Sequence, residues 1–550
     1  MSAGVNAIRP YVFRRGSVRR SDLLKLLIGI FLFVTVICPL VTMLLNMTAS
    51  DISSVMRLPR FKEALLNSIY AAAIATVISI VFAWGFAYCV VRSNLRFREV
   101  FSVFVTLPML IPSISHGMGL ILLLGANGII TRLFGLNSTI YGFKGIVLGS
   151  VFYAFPVAFL MLADIIKYED GSPYEAAKVL GIPRANQFFS ITFPYLRKPL
   201  ISVIFAVFTL IFTDYGVPLM IGGRFITLPV MMYQEVIGLL NFSRGSVIGS
   251  FLLIPAMVAF VFDLLNRDRA NQNFIINEKT KTENKLRDAA AACYVILICL
   301  IIALPVLVFA FLTFIKSYPV DMNLSLTNIA KTMNMGAGRY LRNSLVIAVF
   351  VSILGTVFSW VTAYFTARTA GKSSRMLHLI SITSLAIPGL VLGLSYVLFF
   401  KGTFIYGSIA MLILVNTIHF LASPYLMAYN SLGKINVNLE DVGRTLGVGR
   451  FRVIRDVLIP QTKLTILEMF SYFFVNSMMT ISAVSFLSTV RSRPVSLMIT
   501  QFEAQLFLEG SAFVSILILG SNLALKCLVY VATKITKRRA ENYEIKSHPI

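Results

Sequence analysis

Charge is what this 550-residue sequence has least of: 13% of its residues are Asp, Glu, Lys or Arg, while 57% are hydrophobic. Soluble globular domains carry roughly 25% charged residues, so a water-facing surface of ordinary extent is excluded. Cysteine is scarce as well. Cys38, Cys89, Cys293, Cys299 and Cys527 all lie in or beside apolar runs and form no CxxC pair, which argues against a disulfide framework and a zinc site. The four histidines are scattered, so no metal cluster is indicated. A phosphate-cradling loop needs Gly, four residues, then Gly-Lys and a hydroxyl residue, so that backbone N–H groups and one lysine surround the phosphates. Gly371-Lys372-Ser373 supplies the tail of that pattern, but Thr366 stands where the first glycine is required. The chain is therefore expected to bind no cofactor of its own. It also lacks the clustered His, Asp or Ser that an intramembrane enzyme would need.

What the sequence has instead is length in its apolar runs. A helix rising 1.5 Å per residue needs about 20 apolar residues to cross a hydrocarbon core roughly 30 Å thick. Twelve such runs follow one another from 26–45 to 511–531, among them 101–124, 201–221, 377–399, 405–427 and 465–487. The first is too long for a signal h-region and no small-residue cleavage site follows it, so it is expected to remain as a span. The net charge of +25 is a topology signal and calls for no nucleic acid. Of the 49 Lys and Arg residues, 35 fall in the two termini and the loops after even-numbered runs, and 14 fall in the other loops. The positive-inside rule then places both termini in the cytoplasm.

The second half repeats the first. Asn67-Ser68, Trp84, Tyr88 and Arg92 recur 276 residues later as Asn343-Ser344, Trp360, Tyr364 and Arg368, and Pro112 with Gly117 recurs as Pro388 with Gly393. Pro39 matches Pro305 at an offset of 266, while Pro229 with Pro494 and Gly245 with Gly510 match at 265. Extra residues are thus expected between runs three and four of the first half and between runs one and two of the second. Six crossings per half give both halves the same sense. The expected fold is an all-α integral membrane protein of about twelve helices in two parallel six-helix repeats. A pseudo-two-fold lies along the membrane normal and the pathway between the halves. The polar stretch Asn266–Asp288 reads as the linker, dividing the chain into halves 1–275 and 276–550.

The loop between runs four and five, within 164–200, contains Ser172-Pro173-Tyr174-Glu175-Ala176-Ala177-Lys178-Val179-Leu180-Gly181-Ile182-Pro183 and ends in Ile191-Thr192-Phe193-Pro194. Ser172 is expected to cap a short helix, with Pro173 at its first position and Glu175 completing a capping box. Gly181 supplies the left-handed stop, and Pro183 opens a second helix that leaves Lys178 and Arg184 exposed. The matching loop, within 429–463, has Asn438 as cap, then Leu439-Glu440-Asp441-Val442-Gly443-Arg444-Thr445-Leu446, Gly447, and later Val457-Leu458-Ile459-Pro460. Thirteen residues separate Gly181 from Pro194, and thirteen separate Gly447 from Pro460. Two loops with one internal spacing point to one partner surface used twice.

Glu175, Ala176, Ala177, Gly181, Ile191 and Pro194 resemble the EAA motif of binding-protein-dependent (type I) ABC importer permeases, with Phe193 in place of Leu. The second copy is degenerate. Asp441, Val442 and Gly443 replace Glu-Ala-Ala, Val457 and Ile459 replace Ile and Leu, and Gly447 and Pro460 are kept. The resemblance implies a permease in the bacterial cytoplasmic (inner) membrane whose loops are coupling helices lodged in grooves on an ATP-binding subunit. It implies two copies of that ATPase, which consumes the ATP, and an extracytoplasmic solute-binding protein. Thr213-Asp214-Tyr215-Gly216-Val217-Pro218, Val236-Ile237-Gly238 and Asn241-Phe242-Ser243 look like the fused permeases for ferric iron and 2-aminoethylphosphonate. Thiamine and polyamine permeases are cousins.

Asp214 is the one acidic residue well inside an apolar run of the first half, and His116 lies at similar height, so a pair on the pathway is expected; a purely structural contact is the other reading. The second half has Thr480 where Asp214 stands, and Glu468 reads as interfacial. The alternative architecture is an ion-coupled secondary transporter of 6 + 6 helices, which would require several intramembrane carboxylates.

Overall fold

The computed structural model describes residues 15–135, 140–266, 284–369, 371–436 and 438–547. The expected half boundary at 275/276 and most of the 266–288 linker lie outside these residues. Among the described residues the regular structure is helical apart from one antiparallel hairpin, Ile315–Ser317 with Asp321–Leu324. That hairpin and the helix Thr327–Asn334 are the insertion expected after the first span of the second half.

Twelve spans were expected. Among the described residues nine helices are long and apolar enough to cross, and two further pairs, Lys372–Ala386 with Gly389–Phe400 and Ile409–His419 with Ala422–Gly433, are bent by 110° and 51°. The remaining place is taken by Lys463–Met479, which has only 17 residues. Proline makes the sharpest of these breaks. A residue before proline is pushed out of the helical region. Ile111 (φ −120°, ψ 152°) and Ile387 (φ −105°, ψ 111°) are extended, so the run at 101–124 and its counterpart at 377–399 each stop and restart at Pro112 and Pro388.

The first span of each half reaches across to the other half. Cys38–Leu45 packs on Gly389–Phe400, and Lys285–Thr313 packs on Ser113–Leu124. Tyr396 donates its hydroxyl proton to the Thr35 carbonyl at 2.7 Å. A Cβ on Gly119 would lie 2.7 Å from Cβ of Pro305, so that contact requires glycine. The halves are interlocked by this exchange.

Within each half the long second span organises the rest. Pro59–Arg92 has 34 residues, about 50 Å at 1.5 Å per residue, so it outruns a hydrocarbon core of roughly 30 Å. Near its start Asn67 Nδ2 donates to the Ile226 carbonyl at 3.0 Å, and Ser68 accepts from Leu228 N at 2.7 Å. In the repeat Asn343 donates to the carbonyls of Arg491 and Arg493 at 2.9 and 3.1 Å, and Ser344 accepts from Val495 N at 2.8 Å. Buried backbone groups in a membrane must be satisfied within the protein, and the repeated Asn-Ser pair does this for the short helices Leu228–Tyr233 and Ser496–Ala504. These bonds make Leu228 the equivalent of Val495, so Pro229 is equivalent in position to Ser496. The last helices begin at Phe242 and Leu508, so Gly245 is equivalent in position to Ser511. Pro229 with Pro494 and Gly245 with Gly510 are therefore near-coincidences of type and are not counterparts.

Candidate functional site

Both loops fold as one object built twice. The first contains helix Ser172–Val179, a glycine turn, helix Arg184–Gln187 and a π-helical turn Phe188–Thr192. The second contains Leu439–Thr445, a glycine turn, Arg450–Val453 and a π-helical turn Ile454–Leu458. Gly181 (φ +65°) and Gly447 (φ +72°) are left-handed. Ile182 N donates to Ala177 O at 2.9 Å and Gly181 N to Lys178 O at 3.2 Å; Val448 N donates to Gly443 O at 2.7 Å and Gly447 N to Arg444 O at 3.1 Å. This is the Schellman ending at both sites.

The starts of the two helices differ from expectation. Gly171 holds the cap position, Ser172 is the first helical residue, and the Glu175 capping box does not form. Ser172 instead donates through its N–H and hydroxyl to Asp170 Oδ1, at 3.0 and 2.9 Å. Asn438 makes no side-chain cap, and its N–H donates to Asn436 Oδ1 at 2.9 Å. An acidic or amide side chain two residues upstream captured the turn in both loops. Glu175, Ala176 and Lys178 are exposed, as are Asp441, Val442 and Arg444, while Ala177 and Gly443 are buried. The Arg184 side chain lies outside the described residues. Leu180 and Leu446 end the two helices 74% and 73% exposed, an apolar tip at the same place in both loops.

The degenerate second copy has a packing cause. A Cβ on Gly443 would sit 2.7 Å from Val453 Cγ2, so the small residue makes room for a valine. The first loop has Gln187 at the position of that valine and a buried Ala177 at the position of Gly443.

Each loop is held at its root by the arginine that ends the second span. Arg92 donates to the Ile166 carbonyl at 3.0 Å and forms an ion pair with Glu169. Arg368 pairs with Glu440 and donates to the carbonyls of Leu432, Ile435 and Asn436 at 3.4, 2.6 and 2.9 Å. Ile166 and Leu432 are counterparts; the carboxylates are not, because Glu440 occupies the place of Tyr174. Tyr174 keeps the network closed by donating to Glu169 and by its contact with Thr192 at the end of the π-turn. Burial and the Glu169 carboxylate push the Tyr174 phenol up, so it remains a donor.

Between the halves lies a cavity of about 560 Å³. It runs beside helix Phe193–Phe212 from Ser202 to Thr213 and meets Asp214 at its end. Asp214 is not inside a span as expected: the helix stops at Phe212, and Gly216–Ile221 begins after the break, with Pro218 in it. The Asp214 carboxylate accepts from Val217 N at 3.0 Å, and Ser113 lines the same cavity. The predicted pair with His116 does not form. His116 packs edge-on to Tyr153 at 5.7 Å, and neither ring nitrogen has a hydrogen-bond partner among the described residues. A Cβ on Gly216 would lie 2.3 Å from Ser113 Oγ, and one on Gly389 would lie 2.2 Å from Ser482 Oγ. Gly216 with Ser113 and Ser482 with Gly389 are the same contact with the serine moved to the other helix.

Beyond Asp214 the cavity is shut. Tyr215 and Ser485 share a 2.6 Å hydrogen bond across the halves, Tyr215 stacks on Tyr233 at 5.2 Å, and Tyr233 faces Phe486 at 6.2 Å. Ser115 and Ser515 join the halves at 3.0 Å.

The family described as binding-protein-dependent transport system inner membrane component matches this chain twice, over residues 75–268 and 355–538. Those two stretches cover more than half of the sequence, and each contains one clamped loop. The chain belongs to that family. As a binding-protein-dependent permease it is a multi-pass protein of the inner membrane and a subunit of an ABC importer. It is similar to the ferric transport system permease protein FbpB of Actinobacillus pleuropneumoniae, 25% identical over 89% of this chain and 76% of that one. It is also similar to the thiamine transport system permease protein ThiP of Escherichia coli, 21% identical over 69% and 72% of the two chains. The molybdenum transport system permease protein ModB of Azotobacter vinelandii is 26% identical over 38% of this chain and 95% of its own.

In this permease the arginine clamps are the residues that sequence reasoning passed over. Arg92 and Arg368 stood out only as markers of the repeat. A cation recurring at the end of a helix too long for the bilayer, within reach of the loop, was the available signal.

Proposed function

We propose that the chain is the membrane-spanning subunit of an ATP-driven importer for ferric ion, with halves 1–275 and 276–550 and both termini cytoplasmic. Two copies of a separate ATPase dock one on each loop, and an extracytoplasmic binding protein delivers the cargo. Glu175, Ala176, Ala177, Gly181 and Pro194 form one docking loop; Asp441, Gly443, Gly447 and Pro460 form the other. The observation that carries the reading is the duplicated loop: the same glycine-ended helix and the same exposed leucine tip recur at an offset of 266, each held by an arginine root that recurs at 276. A pair of equal knobs on one face suits a motor that acts twice. With the positively charged loops inside, the cavity faces the cytoplasm and the Tyr215–Tyr233–Phe486 stack forms its outer closure.

The cavity supports a cationic cargo. Asp214 is the one carboxylate in its described lining, which contains no Lys or Arg and adds the hydroxyls of Ser113, Tyr153 and Tyr472. An oxyanion such as molybdate or a phosphonate would find no Lys or Arg to pair with in that lining. Hard cations favour oxygen donors of this kind. Thiamine, also cationic, is the second cargo to test.

Asp214→Asn separates function from structure, because the amide oxygen still accepts from Val217 N while the charge is gone. Ferric uptake into vesicles holding the complete importer is expected to fall at least tenfold with expression unchanged. Uptake equal to that of the unaltered protein would remove Asp214 from the pathway.

A further inference from the structure

Two leucines hold a backbone conformation that leucine avoids. Leu240 (φ +53°) and Leu506 (φ +56°) are the non-glycine residues with positive φ among the described residues, and they stand 266 positions apart, the offset that relates the docking loops. At Leu506 the turn is again a Schellman ending: Phe507 N donates to Phe502 O and Leu506 N to Glu503 O, both at 2.8 Å. At Leu240 the π-helical turn Gln234–Gly238 closes with Asn241 N donating to Glu235 O at 2.9 Å. On the opposite ends of the halves this same left-handed position is filled by Gly181 and Gly447. An L side chain there crowds the following carbonyl, and glycine would remove that cost. No packing within the chain offsets it, since the two side chains are 71% and 85% exposed. A strained residue kept twice with its apolar group in the open is a reason to look outside the chain.

We infer that Leu240 and Leu506 are paired contact points for the extracytoplasmic binding protein, one on each half. The inference rests on the permease reading, which puts both turns on the outer face. Lipid is the weaker occupant: Leu239 is exposed beside Leu240, but Asn241 and Arg244 follow that pair and Glu503 and Gln505 precede Leu506, so both turns sit at a polar boundary. The family's dependence on a binding protein supplies the partner, and a partner centred on the pseudo-two-fold touches both halves equally. The contact also has a route to the closure. Tyr233, which stacks on Tyr215, belongs to the helical segment that ends at Leu240, so a load on the leucine bears on the aromatic stack.

The test is Leu240→Gly and Leu506→Gly, singly and together, in the full chain assembled with its ATPase in nanodiscs. The probe is the binding protein of the same transport system, loaded with ferric ion. Glycine relieves the backbone, so the melting temperature is expected to stay level or rise. The affinity for the loaded binding protein, read as half-maximal stimulation of ATP hydrolysis, is expected to weaken at least tenfold in the double variant. Unaltered half-maximal stimulation in the double variant, or a drop in its melting temperature, overturns the inference and leaves the permease reading standing. Absence of stimulation in the unaltered complex would overturn both.

Discussion

Arg368→Ala is expected to cut ATP-driven uptake by more than tenfold while leaving the ATPase able to hydrolyse ATP. The guanidinium side chain is 1% exposed, and its removal strands Glu440 and three backbone carbonyls at once. Breaking one side of a buried ion pair costs on the order of 3–5 kcal/mol, because the remaining charge has lost its partner. That is enough to detach the loop root from the end of the second span. Arg92→Ala should have a smaller effect, since one carbonyl and one carboxylate are involved and Tyr174 stays on Glu169. Lysine at 368 keeps the charge but cannot reach carboxylate and carbonyls together, so it should restore only part of the uptake. Proteolysis of the 429–463 loop in the assembled complex reads the loop directly. Faster cleavage with an unchanged global melting temperature is expected. Normal uptake by Arg368→Ala would show that the clamp transmits nothing.

The second large effect is expected at the glycine turns. Gly181→Val and Gly447→Val together should reduce uptake by more than tenfold and weaken co-purification of the ATPase. Nothing lies within 4 Å of a Cβ built at either position, so the substitution does not collide with its own chain. The cost is in the backbone: an L-residue in the left-handed region loses about 1–2 kcal/mol, and a β-branched one is the worst suited. The turn is expected to rearrange and swing Leu180 and Leu446 away from their present positions. Each single variant should retain part of the uptake, since the other loop is intact. A double variant that imports normally would contradict the docking role of both turns.

Much of the fold was legible because a repeat converts weak signals into strong ones. The glycine-to-proline spacing of thirteen residues identified the two loops and their left-handed turns, whereas Pro112 and Pro388 registered only as a matching pair although each breaks its run. Counting apolar residues alone still gave unbroken spans, since hydropathy does not register where proline stops a helix. Asp214 was misplaced for the same reason: Gly216 and Pro218 were stop signals inside an apolar run. The arginine clamps were illegible for a different reason. Their carboxylates sit at 169 and 440, positions that do not correspond, so aligning the halves hides the recurring ion pair. Leu240 and Leu506 carry no sequence signal at all, because nothing about leucine announces a left-handed backbone.

The central claim is that a motor absent from this chain drives transport through the two loops. Reconstituting the purified chain in liposomes, with ferric-loaded binding protein outside and ATP inside, tests it by comparing ferric uptake with and without the ATPase subunit. Uptake that appears only with the ATPase present, and disappears when the Gly181→Val/Gly447→Val variant is used, is the predicted result. Uptake by the chain alone, driven by an ion gradient, would contradict it.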